Sequence, residues 1–242
     1  MKENLALQSF SLHPYKDNKE VIEKARGLGL RRMELCEVHV DFNDEKTFDG
    51  VIDLYRQAGI DIVSIGVEMM RNDPVMDEKR FLFAKKAGAS HISVSFDARK
   101  VPEAFRTAEE LAGKYDLKLG IHNHGGRHWL GSSEALSAVF EKVNPSIGLM
   151  LDTAWAIDSG EDPLKMVESF AGRLTGLHLK DFIYDRSRKR QEVAVGTGNL
   201  DLPGLFKLLK KMDFGGLLIL EHVGSMETLE QSIANIRSAN NH

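Results

Sequence analysis

Residues 121 to 126 read IHNHGG, with His128 and Trp129 directly after. His122 and His124 would share one face of an extended strand, because side chains alternate along it. Such a pair could hold a metal, carry protons, or only hydrogen-bond a loop. Other reactive types recur downstream at the ends of apolar runs: Asp152 after IGLML, His178 and Lys180 alternating in LHLKD, and Glu221 after LLIL. Brought together, two of the imidazoles of His122, His124 and His178 and the carboxylates of Asp152 and Glu221 would form a mixed nitrogen–oxygen set suited to one divalent cation. Four protein ligands leave positions at which a hydroxy-carbonyl compound could chelate. Imidazoles accept Zn²⁺ and Co²⁺, and carboxylates accept Mn²⁺ and Mg²⁺, so the residue types alone leave the ion open. Lys180, on the same face as His178, could stabilise a developing oxyanion.

Residues so far apart in sequence need elements that bring them to one place. Eight short apolar runs (LALQSF, RMELCEV, DIVSIGV, HISVSF, LKLGIH, IGLMLD, LTGLHL and LLILE) alternate with segments such as NKEVIEKARGLG, DEKRFLFAKKAG, PEAFRTAEELAGKY and SSEALSAVFEKV. The latter carry apolar residues at three- and four-residue steps, the mark of a helix with one buried face. Gly27, Gly59 and Gly88 sit where left-handed helix ends are expected, and Ser132 or Ser133 and Asp201 where helices begin. Eight strand–helix units imply right-handed parallel crossovers and a closed (β/α)₈ barrel, an α/β fold, as one domain over residues 1–242. A doubly wound open sheet is the alternative, but SFSLHPYKD after the first strand is not a Gly-rich phosphate turn. A barrel would place chemistry at the C-terminal strand ends, where His and carboxylate residues do concentrate.

Composition narrows the partners. The chain has 242 residues, a formal charge of -4 and one cysteine. Mild acidity disfavours a nucleic-acid partner, and SRKR at 187 to 190 reads as a solvated loop. No apolar run approaches the roughly 20 residues of a membrane span. MKENLALQSF lacks a long apolar leader, so a cytoplasmic location is expected. A lone Cys36 cannot form an internal disulfide and suits a reducing compartment.

GIHNHGG, LDTAWAIDSGEDP, LHLKD, VGTG and LILEH, taken in order and spacing, resemble the xylose-isomerase-like TIM-barrel superfamily of sugar isomerases and epimerases, inosose dehydratases and apurinic endonucleases. The resemblance runs from LALQSFSL to the last helix. It implies that His122, Asp152, His178 and Glu221 hold the divalent ion, with Mn²⁺ favoured, and that a homodimer is a possible assembly. Two positions depart from the family pattern. His122 stands where many relatives have Glu, so the two-glutamate arrangement of the ketose epimerases is incomplete. Trp155 stands where many have His, which argues against the three-zinc nucleases. The expected function is a sugar or polyol isomerase or epimerase acting through a metal-stabilised enediolate. Glu221 or a strand-five histidine (His122 or His124) would be the base, and Lys180 the oxyanion partner. A dehydratase or lyase using the same enolate is the alternative, and a non-catalytic sugar-binding barrel a third reading. Trp155, Trp129, Glu68, Asp97 and Glu192 are the expected contacts to a small sugar-derived substrate, Glu192 from a long segment that could fold over the mouth. Glu34, a strand-two glutamate of a kind seen in many relatives, is expected to be structural.

Overall fold

In the computed structural model, which describes residues 5–241, eight parallel strands close into a barrel. They are β1 (Leu5–Gln8), β2 (Arg32–Leu35), β3 (Asp61–Met70), β4 (His91–Phe96), β5 (Lys118–His122), β6 (Ile147–Asp152), β7 (Leu174–Leu179) and β10 (Leu217–Leu220). β10 closes the ring by pairing with both β7 and β1. Between β7 and β10, β8 (Phe182–Tyr184) and β9 (Arg190–Glu192) form a separate antiparallel hairpin. The helices are α1 (Asn18–Gly27), α2 (Phe48–Gln57), α3 (Pro74–Ala87), α4 (Glu103–Tyr115), α5 (Ser133–Phe140), α6 (Thr153–Asp158), α7 (Pro163–Ser169), α8 (Leu202–Lys211) and α9 (Met226–Ala239). None is long and apolar enough to cross a membrane.

Local chemistry explains most boundaries. Ser132, rather than Ser133, caps α5 by accepting from the Ala135 N–H, and Asp201 caps α8 through Gly204. Gly88 ends α3 at φ 78° and Gly59 follows α2 at φ 69°, as expected. Gly27 is instead the last residue of α1, and Gly29, at φ 71°, takes the left-handed turn. α3 starts earlier than its periodicity suggests, because Asp73 accepts from the Met76 N–H and Pro74 suits the first turn.

The barrel interior is layered. Ala6, Val63, Met150, Leu217 and Ile219 form an apolar plug separate from the larger core between strands and helices. Met150 fills the centre because Gly120 and Gly176 flank it: a Cβ on Gly120 would meet the Met150 Cβ at 2.8 Å, and one on Gly176 its Sδ at 2.7 Å. Strand residues two apart share a face, so His122 stands above Gly120, Asp152 above Met150, His178 above Gly176 and Glu221 above Ile219. The plug therefore carries a layer of imidazole and carboxylate groups on its C-terminal side.

Candidate metal centre

In that layer, His122, Asp152, His178 and Glu221 each offer one ligand atom, and all four atoms lie within 4.8 Å of one another. His122 Nε2 is 3.1 Å from His178 Nδ1, 3.5 Å from Asp152 Oδ2 and 3.9 Å from Glu221 Oε2. His178 Nδ1 is 2.8 Å from Glu221 Oε2. Asp152 divides its oxygens: Oδ1 accepts from the Trp155 N–H and caps α6, while buried Oδ2 has no hydrogen-bond partner among the described residues. A bare buried carboxylate oxygen is costly unless a cation or proton faces it. Two imidazole nitrogens turned toward each other and two carboxylate oxygens make the same demand. The set fits a divalent cation in number and type. Asn123, on the opposite face of β5, ties that strand to β6, its amide accepting from the Asp152 N–H and donating to the Asp152 carbonyl.

Protons and Lys180 offset the negative charge of the layer. Burial pushes the His178 imidazole down, but the carboxylates of Glu34 and Glu221 outweigh it and raise it to about 10. Burial would raise Glu221, yet Lys180, His178 and His122 hold it well below the usual carboxylate range. A raised base contributes stability that is complete below its unfolded pKa of 6.5 and is lost as pH rises through its folded value. Glu221, lowered from 4.5, contributes stability above that value that is lost as pH falls below it. The metal-free protein is therefore expected to lose thermal stability progressively between pH 6.5 and about 10, as followed by circular dichroism. A cation must displace the His178 proton, so titration at pH 7.5 in buffers of different ionisation enthalpy should show about one proton released per ion. A stability curve flat to pH 10, with no proton released, would contradict this assignment.

Lys180 lies just past β7 at the edge of the cluster. Its Nζ donates to Glu221 Oε1 at 2.8 Å and is 3.6 Å from Glu192 Oε2. Burial opposes the ammonium, but Glu221, Asp152 and Glu192 hold its proton more tightly than usual. Glu192 arrives on β9, anchored by the Val223 N–H. The long segment thus closes one side of the mouth, and its root is fixed where Asp181 accepts from the N–H groups of Gly196, Gly198 and Leu200. Trp155, on α6, forms a wall: its ring has Lys180 Nζ at 5.7 Å and the Arg190 guanidinium at 4.4 Å. Arg190 also reaches Asp158 at 3.4 Å.

His124 shares the inner face with His122, their ring centroids 4.8 Å apart, and continues to His128 at 4.9 Å. Burial, with His122 and His128 adding to it, lowers His124 to about 4, so it is neutral at physiological pH. The glycines after it have separate duties. Gly126 adopts φ 67°, whereas Gly125 makes room: a Cβ there would stand 2.3 Å from Asp158 Oδ2 and 2.6 Å from Trp155 Cε3. Gly125→Ala should displace the Trp155 wall and cost about 1–3 kcal/mol, seen as a lower denaturant midpoint; an unchanged midpoint would show that the wall yields freely.

Three expected substrate contacts are held by partners outside the cluster. Trp129 donates Nε1–H to the Phe96 carbonyl and lines a lateral groove between α4 and α5 with Phe105 and Val139. Asp97 is tied to Arg99 through both carboxylate oxygens. Glu68 is buried on β3 and accepts from Arg80 Nε at 2.6 Å; burial pushes its carboxyl up to about 7 against the opposing Arg80 charge. Arg190, read in the sequence as part of a solvated loop, is half exposed but lies over the Trp155 ring; Gln8, Ser64 and Ser93, which surround Glu34, have no distinguishing motif. The polar serines alternating inside DIVSIGV and HISVSF were the available signal.

A family model described as a xylose isomerase-like TIM barrel matches residues 22–239, and the chain belongs to that family. Inosose dehydratase from Geobacillus kaustophilus is 27% identical over 134 residues, 49% of this chain and 43% of that one. The matched region thus spans less than half of that relative. Inosose dehydratase from Clostridium perfringens (strain 13 / Type A) is 22% identical over 238 residues, 86% of this chain and 74% of the relative. The structure of 3-keto-D-glucoside 4-epimerase from E. coli has a TM-score of 0.73 at 13% identity, covering 97% of this chain and 99% of that one, which reflects a shared fold.

Proposed function

We propose that the protein is a divalent-cation-dependent lyase that removes water from a small polyhydroxylated ketone of the inosose type. One observation carries the choice: unlike proton carriers flank the cluster, the His124 imidazole with its ring centroid 4.8 Å from that of His122 on the β5 side and the Lys180 amine 2.8 Å from Glu221 on the β7 side. Elimination needs such a pair, one to accept the proton beside the carbonyl and one to deliver a proton to the departing hydroxyl. When bound, the cation supplies Lewis acidity that polarises the carbonyl and eases loss of the neighbouring proton. His124 takes that proton at its open ring nitrogen. The carbon–oxygen bond at the next carbon breaks, and Lys180 Nζ protonates the leaving oxygen, giving an enone and water. Sharing Glu221's charge with a cation loosens Lys180's hold on its proton, which makes it a more capable acid. Trp155 and the β8–β9 hairpin shield the mouth from water. Inosose dehydratases among the relatives support this reading, and Mn²⁺ is the ion we assign on family resemblance.

Isomerisation or epimerisation shares the first step and returns the proton to carbon. Its supporting observation is Glu192, a second carboxylate beside Lys180 that could serve as the other proton carrier. Proton NMR in deuterated buffer, with Mn²⁺ and 2-keto-myo-inositol, a ketohexose and a 3-keto-glucoside, separates the two. Elimination yields an enone or its diketone tautomer, with one hydroxyl lost. Deuterium incorporation with every hydroxyl retained would overturn elimination in favour of epimerisation. No turnover and no retained cation would leave only a binding barrel.

A further inference from the structure

Glu34 lies on β2, with β1 and β10 between it and β7 around the barrel, yet its Oε1 is 2.8 Å from His178 Nε2. Both side chains are fully buried. Glu34 is held from three further strands: Gln8 Nε2 donates to Oε1 at 2.5 Å, and the hydroxyls of Ser64 and Ser93 donate to Oε2 at 2.6 and 2.5 Å. An ionised carboxylate has about four acceptor sites, and three neutral donors already point at this one. Such a group can only accept. The imidazole nitrogen facing it must therefore carry a hydrogen, since two lone pairs at that distance would repel. The contact is one of charge rather than of hydrogen-bond geometry, but its sign is fixed. With the hydrogen on Nε2, the lone pair of the neutral ring lies on Nδ1, the atom that faces His122, Asp152 and Glu221.

We propose that Glu34 is a positioning residue for the cation: its carboxylate, 2.8 Å from His178 Nε2, favours the tautomer with the hydrogen on that nitrogen so that Nδ1 is presented as the ligand, with Gln8, Ser64 and Ser93 holding Glu34 to that task. This rests on the metal-centre reading. A purely structural Glu34 would fill space and satisfy neighbours without affecting which nitrogen binds. Groups that orient a ligating histidine typically contribute about 10–100-fold to metal affinity. Among the described residues His122 has no counterpart, because its buried Nδ1 is without a partner there, so the orienting duty falls on the His178 side.

The test is Zn²⁺ and Mn²⁺ titration of Glu34→Gln beside wild type and Asp152→Asn. The glutamine keeps the volume, but its amide can donate to Nε2 and favour the hydrogen on Nδ1, where it blocks the cation. Dissociation constants about 10–100-fold weaker, with cooperative unfolding retained, are expected. Constants within twofold of wild type, while Asp152→Asn loses the ion, would overturn the proposal and leave the metal centre intact. If wild type also binds neither ion, the metal-centre reading itself fails. A second measurement needs no variant: wild-type protein loaded with Zn²⁺ is examined by ¹⁵N–¹H correlation of His178. Zinc on Nδ1 with a protonated Nε2 is expected, and zinc on Nε2 would overturn the proposal.

Discussion

Asp152→Asn is expected to leave the barrel folded and to abolish its use of a cation. The asparagine oxygen can still accept from the Trp155 N–H and cap α6. Its amide nitrogen takes the place of Oδ2, the buried oxygen that now has no partner and stands 3.5 Å from His122 Nε2. There the amide can donate to the imidazole, so the metal-free protein gains a hydrogen bond while the site loses a ligand and a negative charge. A catalytic cation contributes several kcal/mol to the transition state, so turnover should fall on the order of 10³-fold, about 1.4 kcal/mol per factor of ten. Calorimetric Mn²⁺ titration should show no saturable binding at concentrations that saturate wild type. A variant that binds Mn²⁺ normally and turns over normally would remove Asp152 from the centre.

Lys180→Met separates the two halves of the proposed reaction. Methionine keeps most of the volume beside Trp155 but leaves Glu221 and Glu192 without their shared counter-ion. Removing one partner of a buried pair costs about 3–5 kcal/mol, so the metal-free variant should unfold at lower denaturant. The cost should be smaller with the cation bound, because Glu221 then keeps a positive partner. Loss of a general acid lowers turnover by about 10²–10⁴-fold. If His124 takes the first proton, the variant should still exchange the substrate's proton beside the carbonyl with deuterated solvent while forming little enone. Exchange lost in step with elimination would assign proton abstraction to Lys180 instead and overturn the division of roles.

Most of the fold was legible because barrel formation is a repeated local event. Each apolar run is short and each intervening segment has a helical period, and together they recur eight times. The boundaries that slipped did so for local reasons, such as Asp73 and Pro74 extending α3 backward and Gly29 rather than Gly27 turning the chain after α1. The β8–β9 hairpin was not legible. Its strands are three residues each, and their pairing shows only once the segment is folded over the mouth.

The four candidate ligands were legible for a different reason. A parallel barrel delivers the C-terminal end of every strand to one rim, so a His or carboxylate there is in place by topology, and resemblance to the family supplied the set. What the sequence by itself determined was the architecture and the layer in which each reactive residue stands, because strand periodicity fixes facing and the repeat fixes closure. Only the tertiary structure decided which of those residues meet. His122 joins the cluster, while His124 stands beside it; Lys180 is shared between Glu221 and Glu192; Trp129, Asp97 and Glu68 are engaged elsewhere; and Glu34 reaches His178 from across the barrel. These outcomes depend on distances between strands far apart in the chain and on donors competing for the same buried oxygens. Neither is encoded in the spacing along any one segment.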